Sequence, residues 1–244
     1  MAAIGFSFQI YCDFSGYSDI AIGSAKLLGF ELLSNFKFPY FSRNIAEFWR
    51  RWHISLSSWF KDYLYIPLGG SKNGLLISIR NTFIIFIVSG FWHGAKWNFI
   101  IWGFLHACAF LPLLIFKINR RYVDSIIAEN KLFPNIKDLL SVISTFAFTT
   151  FAWIYFRAEN LIDANNIIMK IAKNIITDIS HFSSIKGYSI FLYIIPFVFL
   201  DWKFRHDDRN ILSNSRFRYF YYLAFSMLIF FYFGKQQNFI YFQF

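Results

Sequence analysis

The sequence is poor in charged residues and has almost no cysteine. Charged side chains make up 16% of the 244 residues, whereas a soluble domain carries roughly 25%. Hydrophobic residues make up 57% and aromatic residues 23%, which leaves too little polar surface to cover a soluble core. These shortages exclude a disordered chain, a collagen-like chain and a disulfide scaffold, and they argue against a soluble enzyme. The composition is typical of a polytopic membrane protein.

The residue spacings that metal sites and common nucleophile sites use are also missing. The two cysteines, Cys12 and Cys108, lie far apart in apolar or small-residue surroundings, and we expect free, buried thiols. No two histidines have H-x-x-x-H spacing and no cysteine lies near a histidine at ligand spacing, so we predict no metal site. The chain has no G-x-S-x-G motif, no phosphate-binding loop and no dinucleotide fingerprint.

The formal net charge is +10, but the basic residues lie between apolar runs and form no single patch. This distribution favours cationic loops that face anionic lipid, and it argues against nucleic acid as a partner. Simple alternation of spans places most of the Lys and Arg on one side, in Lys37–Arg80, Lys117–Lys137 and Lys203–Arg218. The positive-inside rule then makes that side cytoplasmic.

Several hydrophobic stretches are candidate spans, because about 20 residues of apolar helix cross the bilayer core. The three clearest stretches are Trp97–Phe116, Leu139–Phe156 and Tyr219–Gly234. Two shorter stretches need their flanks, tilt or neighbours to cross, and they are Asn81–Ala95 and Gly187–Leu200.

Two further segments complete the predicted architecture. Ala2–Phe30 is apolar but contains Asp13 and Asp19, so we expect one broken or protein-buried span, since lipid-facing carboxylates are costly. Glu159–Ser180 has apolar residues at helical spacing and is predicted to lie in the membrane interface. The fold class is therefore an all-α polytopic membrane protein with about 5–6 spans plus re-entrant or interfacial helices.

The segment Asn44–Pro67 does not fit a simple bundle. On a helical wheel its apolar residues form a single stripe, with Glu47, Arg51 and Ser58 on the opposite side. Arg50, His53 and Ser57 share one shoulder of that stripe. One interpretation is an interfacial anchor helix. The other is a functional site in which His53 is held beside Arg50 at a polar–apolar boundary.

The segment Ser89–Gly94 places a histidine inside a hydrophobic stretch. Gly90 and Gly94 have the spacing that lets another helix approach closely, so we expect protein rather than lipid around His93. An ionisable residue within a span is a functional hypothesis by default, although a structural histidine stays possible. His106 is predicted to have a packing or supporting role, and His181 and His206 are predicted to be solvated and non-catalytic.

These segments together resemble the membrane-bound O-acyltransferase (MBOAT) family, in its bacterial alginate O-acetylase-like branch. The resemblance covers roughly residues 8–107, and Trp153–Arg157 is a weaker match. It lies in several long motifs in the right order, namely Gln9–Gly23, Asn35-Phe36, Pro39-Tyr40, Phe48–Ser57, Tyr65–Gly70, Ser89–Ala95, Trp102-Gly103 and His106. The implied fold is an MBOAT-like helical bundle.

The resemblance implies catalytic roles for two histidines. His93 in the Trp-His-Gly motif is expected to act as the general base, and His53, where other branches use Asn or Asp, to orient or polarise. Imidazole suits acyl transfer because the attacking hydroxyl must lose its proton near neutral pH. Arg50 is expected to help hold the acyl donor. The remaining expected supporting residues are Asp13, Tyr17, Asp19, Trp49, Trp52, Ser57, Trp92 and His106.

The resemblance also implies the substrates and partners. The acyl donor is expected to be cytoplasmic acetyl-CoA, with no bound cofactor. The acceptor is expected to be a hydroxyl of an extracytoplasmic polysaccharide, such as an alginate-like exopolysaccharide or peptidoglycan. A periplasmic acetyltransferase is the expected partner protein, and the expected location is the bacterial inner membrane, crossed several times.

Family members are usually much longer than this chain. Residues 1–244 are therefore expected to form the C-terminal portion of an acyltransferase domain, with a motif core at about 8–107. The N-terminal half is then absent, and a separate polypeptide is one possible source of it. Two alternatives stay open, a truncated non-catalytic membrane scaffold and a proton-coupled transporter.

Overall fold

The computed structural model describes residues 1–123, 125–177, 190–206 and 215–232. Within these ranges the chain is helical, and no strand occurs. The helices are α1 (Ala2–Leu27), α2 (Ile45–Arg51), α3 (Ile54–Phe60), α4 (Leu75–His93), α5 (Trp97–Ile115), α6 (Ile136–Arg157), α7 (Leu161–Thr177), α8 (Phe191–Lys203) and α9 (Ser215–Tyr232). A 3₁₀ turn occupies Pro39–Phe41, and a π-helical turn, Lys61–Tyr65, follows α3. The all-α prediction is confirmed.

Three described helices are long and apolar enough to cross a membrane, and these are α4, α5 and α6. Helices α5 and α6 confirm two of the three clearest predicted spans. The predicted short span Asn81–Ala95 is corrected, because α4 begins at Leu75 and its 19 residues reach roughly 28 Å. The larger number of 5–6 spans stays a prediction.

The remaining predicted spans have different outcomes. Helix α1 runs without a break for 26 residues, so of the two expected forms the broken span is wrong and the protein-buried span stays a prediction. Helix α9 includes Arg216 and Arg218 and is not among the three membrane-crossing candidates; residues 233 and 234 lie outside the described residues. Helix α8 has 13 residues and covers the predicted Gly187–Leu200 region from Phe191 onward; the first residues of that region also lie outside the described residues. Helix α7 is strongly amphipathic, as expected.

The core is aromatic and lies between α1, α2, α5 and α6. Its largest fully buried side chains are Phe48, Trp52, Phe99, Trp102, Trp153 and Phe156. Lipid is as apolar as these rings, so close packing rather than burial from water holds such helices together. Edge-to-face ring contacts contribute about 0.5–1.5 kcal/mol each beyond burial. The packing geometry of these aromatic rings therefore determines how the core helices fit together.

Helices α4 and α5 form a tight hairpin that turns at Gly94. A methyl group at Gly90 would overlap the backbone carbonyl of Phe99, and one at Gly103 would overlap that of Phe86. The two backbones therefore touch, which only glycine permits at these positions. This confirms the close helix approach that the glycine spacing predicts.

The single helix expected over Asn44–Pro67 is wrong. Helix α2 ends at Arg51, Trp52 is extended, and His53 adopts the left-handed conformation, with φ 46° and ψ 55°. The loop before α2 causes the break: the Lys37 N–H donates to the Arg51 carbonyl, and the Ile54 N–H donates to the Asn35 carbonyl. Arg50, His53 and Ser57 therefore do not share one helical shoulder.

The two cysteines are free, as expected, but Cys12 is exposed and Cys108 only partly buried. The expectation of two buried thiols is therefore wrong. Cys12 lies on α1, whose continuous helical path turns that residue away from the core.

Candidate active site

His53 lies at the break between α2 and α3. A left-handed conformation in a residue other than glycine costs roughly 1–2 kcal/mol, so the surrounding contacts must stabilise it. Phe14 of α1 packs edge-on against the imidazole, with ring centroids 4.7 Å apart. Burial lowers the pKa of His53 from 6.5 to about 4. The imidazole is therefore neutral at pH 7 and able to accept a proton or a hydrogen bond.

His93 is the last residue of α4, directly before the Gly94 turn. Its half-buried ring contacts aromatic side chains of three helices. The centroid distances are 4.9 Å to Trp92, 5.4 Å to Trp102 and 4.9 Å to Phe156. The imidazole thus lies at a helix end with an aromatic wall on several sides.

The structure brings the two histidines next to the same indole, that of Trp92. The Trp92 ring lies 6.5 Å from the His53 ring and 4.9 Å from the His93 ring. Trp92 itself is 55% exposed, so this pair of imidazoles opens toward the molecular surface. Residues forty positions apart in sequence therefore form one candidate active site.

Arg50 points toward the basic loop after α5. Its Nη1 donates to the backbone carbonyl of Asn119 over 2.9 Å. Asn119 belongs to the predicted basic segment Lys117–Lys137. The guanidinium therefore joins α2 to that loop.

The tryptophans near the site have separate positions. Trp52 is fully buried and packs between Phe36 and Trp153, at 5.0 and 5.2 Å. The Trp49 indole Nε1 donates to Nδ1 of the buried His106 over 3.3 Å. Trp49 therefore contacts the supporting histidine rather than the two candidate catalytic ones.

The expected polar supports lie outside the aromatic core. Tyr17 and Asp19 are exposed, and Asp13 is partly buried on α1. The Ser57 hydroxyl donates to the Trp52 carbonyl over 3.3 Å, which ties the first turn of α3 to the break. His206 is exposed, and His181 lies outside the described residues.

Sequence reasoning missed a buried ion-pair network at the start of α2. Glu47, expected to face away from the apolar stripe, is fully buried and pairs with Arg43 and Arg51 at 2.9 and 2.8 Å. Arg43 also donates to the Ser125 carbonyl and hydroxyl, both at 2.9 Å, and stacks on Tyr122. The available signal was the capping pattern Asn44-x-x-Glu47, in which the Asn44 side chain accepts from the Glu47 N–H.

Two surface cavities lie away from the histidine pair. One, of about 730 Å³, lies between the start of α2 and α6 and includes Arg43 and Lys137. The other, of about 750 Å³, lies beside α1 and α7 and includes Gln9 and Arg157. In the described parts of the chain, no three His, Cys, Asp or Glu side chains gather at a metal-binding spacing.

The sequence matches known proteins over the part that contains this site. The profile of MBOAT, the membrane-bound O-acyltransferase family, matches residues 1–158. The peptidoglycan O-acetyltransferase of Helicobacter pylori is 45% identical over 168 residues, which are 69% of this chain and 30% of that protein. The probable alginate O-acetylase of Pseudomonas aeruginosa is 41% identical over 161 residues, 66% of this chain and 29% of that protein.

A third relative is named for a different activity. The teichoic acid D-alanyltransferase of Bacillus subtilis is 33% identical over 165 residues, 64% of this chain and 40% of that protein. The matched segment therefore spans less than half the length of each of these relatives. His53 and His93 both lie within the part that the family profile matches.

Proposed function

We propose that this chain, which belongs to the membrane-bound O-acyltransferase family, carries the acyl-transfer site of an O-acetyltransferase. The proposed reaction moves acetyl from acetyl-CoA toward a hydroxyl of an extracytoplasmic polysaccharide. The observation that carries this proposal is the placement of His53 and His93 beside the same Trp92 ring, at 6.5 and 4.9 Å. Two imidazoles at one opening provide the proton acceptor and the polarising group that the reaction needs.

The reaction divides the work between the two histidines. His93 accepts the proton of the attacking hydroxyl as its oxygen bonds to the acetyl carbonyl carbon. The carbon–sulfur bond of the thioester then breaks, and the proton passes from His93 to the departing thiolate. His53, neutral at pH 7 because burial lowers its pKa to about 4, orients or polarises a reacting group. Ester and free thiol are the products.

In this proposal the acyl donor binds near the basic loop after α5. Arg50 is joined to the carbonyl of Asn119, and positive charge in Lys117–Lys137 attracts an anionic donor such as acetyl-CoA. The proposed location is the bacterial inner membrane, with several crossings of the lipid bilayer and this loop on the cytoplasmic side. A periplasmic acetyltransferase is the proposed partner protein.

The activities for which the relatives are named guide the choice of acceptor. One is a peptidoglycan O-acetyltransferase and another a probable alginate O-acetylase. Both names describe acetylation of a polysaccharide hydroxyl, which supports peptidoglycan or an alginate-like exopolysaccharide as the acceptor. The teichoic acid D-alanyltransferase makes a D-alanyl group the competing acyl group.

The test measures acyl groups on the cell's own polysaccharides. The native chain, H93Q and the control H206Q are compared in the source cells, at equal membrane levels. Mild base releases ester-linked acetate and D-alanine from peptidoglycan, exopolysaccharide and teichoic acid. We expect H93Q to lower polysaccharide acetate by about 100-fold or more, while the exposed His206 variant keeps the native level.

Other outcomes overturn the proposal in specific ways. Native acetate levels in H93Q favour the non-catalytic scaffold. Loss of D-alanine alone favours D-alanyl transfer. Solute flux across vesicles that contain no acyl donor favours the transporter.

A further inference from the structure

His106 is held by aromatic rings from four helices. The rings of Phe48 and Phe86 lie nearly parallel to its imidazole, at interplanar angles of 8° and 20°. Trp49, Trp102 and Phe148 lie close to perpendicular, at 79°, 71° and 89°. The imidazole is fully buried. Its ring is therefore unable to rotate without displacing one of these neighbours.

The hydrogen bond from Trp49 determines where the His106 proton lies. An indole Nε1–H is a donor only, so Nδ1 of His106 accepts at 3.3 Å and carries no proton. In a neutral imidazole the single proton then resides on Nε2. Trp49 therefore selects one of the two tautomers of His106, as hydrogen-bond partners do for other histidines.

Trp102 connects this locked histidine to His93. Its ring lies 5.0 Å from His106 and 5.4 Å from His93, at 71° and 89°. Trp49 also contacts Trp102 directly, at 5.7 Å and 72°. Edge-to-face aromatic contacts have a preferred geometry, so each ring restricts the tilt of the next.

The close backbone contact between α4 and α5 fixes the position of Trp102 along the hairpin relative to His93. Gly103, the next residue along α5, touches the backbone carbonyl of Phe86 on α4. The His93 ring also contacts Phe156 of α6 at 4.9 Å, and Phe156 contacts Trp102 at 5.2 Å. Trp102 and Phe156 therefore pack together against His93 and restrict its orientation.

We propose that Trp49 and His106 are positioning residues that hold the His93 imidazole in one orientation through Trp102. Trp49 belongs to α2, which ends at the break that presents His53. One short helix therefore places both histidines of the candidate active site. The consequence for catalysis rests on the acyl transfer proposed above, whereas the effect on His93 orientation does not.

The test measures the nuclear magnetic resonance signals of the imidazole nitrogens in the full chain. The protein is labelled with ¹⁵N-histidine, reconstituted in lipid nanodiscs, and its ring-nitrogen signals are recorded at neutral pH. H93Q and H106Q each delete one signal and so assign it. We expect His106 to show the tautomer with the proton on Nε2. A proton on Nδ1 instead would overturn the proposal.

The decisive variant is W49F, which keeps an aromatic ring and removes only the donor. We expect both the His106 and the His93 signals to shift. The matched control is W59F on α3, where Trp59 is half exposed and contacts Phe60 and Tyr63; both signals should stay in place. A W49F spectrum in which His93 is unchanged overturns the proposal.

A second pair of variants keeps the test decisive if W49F does not fold. H106Q retains an oxygen that accepts from Trp49, whereas H106L does not. We expect the His93 signal to shift more in H106L than in H106Q. Equal shifts in the two variants overturn the role of the Trp49 hydrogen bond.

The activity readout separates positioning from mere stability. If acyl transfer occurs, W49F should lower kcat about tenfold with an unchanged KM, because the donor site is untouched. Loss in KM alone contradicts positioning of the base. If H93Q keeps full transfer, the proposed function fails, and the nitrogen spectra still decide whether Trp49 orients His93.

Discussion

His93 ends a 19-residue membrane helix, whereas His53 lies in a break between two helices of seven residues each. The first is placed by regular structure, namely the α4–α5 hairpin and its touching glycines. The second is placed by a strained left-handed residue and by backbone hydrogen bonds to the loop before α2. Both imidazoles nevertheless contact the same Trp92 ring.

The difference concerns what each region needs in order to form. A membrane helix satisfies its own backbone within one segment, so α4 requires only packing against α5. The break at His53 leaves backbone groups of α2 and α3 to be satisfied from elsewhere. The His53 region therefore depends on distant polar contacts, and the His93 region on close apolar packing.

The largest expected effect is a loss of stability in the His53 region. Replacing Glu47 by Gln leaves Arg43 and Arg51 buried without their shared carboxylate. Breaking such a network costs about 3–5 kcal/mol, and we expect the free energy of unfolding to fall by a similar amount. Tryptophan fluorescence of the protein in detergent measures this unfolding. The control is E31Q, at an exposed position. Equal stability of the two variants would show that the network does not hold α2.

The next largest expected effect is a loss of stability in the His93 region. In G103A the new methyl group meets the Phe86 carbonyl, so α4 and α5 must separate, at a cost of about 1–3 kcal/mol. The matched control is G16A in α1, where nothing lies within 4 Å of the added methyl and alanine favours the helix. Thermal unfolding of both variants measures the difference. A G103A protein as stable as G16A would contradict the close backbone contact.

A smaller effect sharpens the role of backbone strain at His53. Both H53A and H53N lose the contact with Phe14, but asparagine tolerates the left-handed conformation better than alanine. We expect H53N to be the more stable variant by roughly 1 kcal/mol. At Ser58, inside α3, the order should reverse, because alanine is the better helix former. The same order at both positions would exclude strain as the cause.

The last effect is a pH dependence of stability, which is gradual and at most about 1.4 kcal/mol per pH unit for one proton. Burial lowers the pKa of folded His53 to about 4, so between about pH 4 and 6.5 the unfolded chain binds the proton and the folded chain does not. The contribution of His53 is therefore complete above pH 6.5 and is lost as pH falls toward 4. Urea unfolding of native and H53N protein should show the steeper slope in the native chain; identical slopes contradict a neutral buried His53.

The sequence predicted the His93 region well. Hydropathy located α5 and α6 to within about three residues at each end, although it began the His93 stretch at Asn81 where α4 begins at Leu75. The Gly90 spacing predicted the close helix contact. The sequence predicted the His53 region poorly, because a helical wheel assumes one continuous helix. The wheel placed Glu47 on the side away from the apolar stripe, yet Glu47 is fully buried between two arginines.

The left-handed backbone at His53 agrees with the residue types that the family resemblance implies at this position. In other branches of the family, Asn or Asp is expected at the position of His53, and these residues are among those most often found in the left-handed region. The backbone at this position is therefore compatible with all three residue types. The sequence alone gave no such explanation, because no local pattern marks a break inside an apolar helical stripe.

The amino-acid sequence by itself determined the helical class, the apolar helices α4 to α6 and the motifs of the family, because hydropathy and residue order are local properties. Only the tertiary structure decided that His53 and His93 lie beside the same Trp92 ring, that Glu47 is buried, and that Trp49 reaches His106. Each of these depends on contacts between residues distant in sequence, and such contacts form only when several helices pack together.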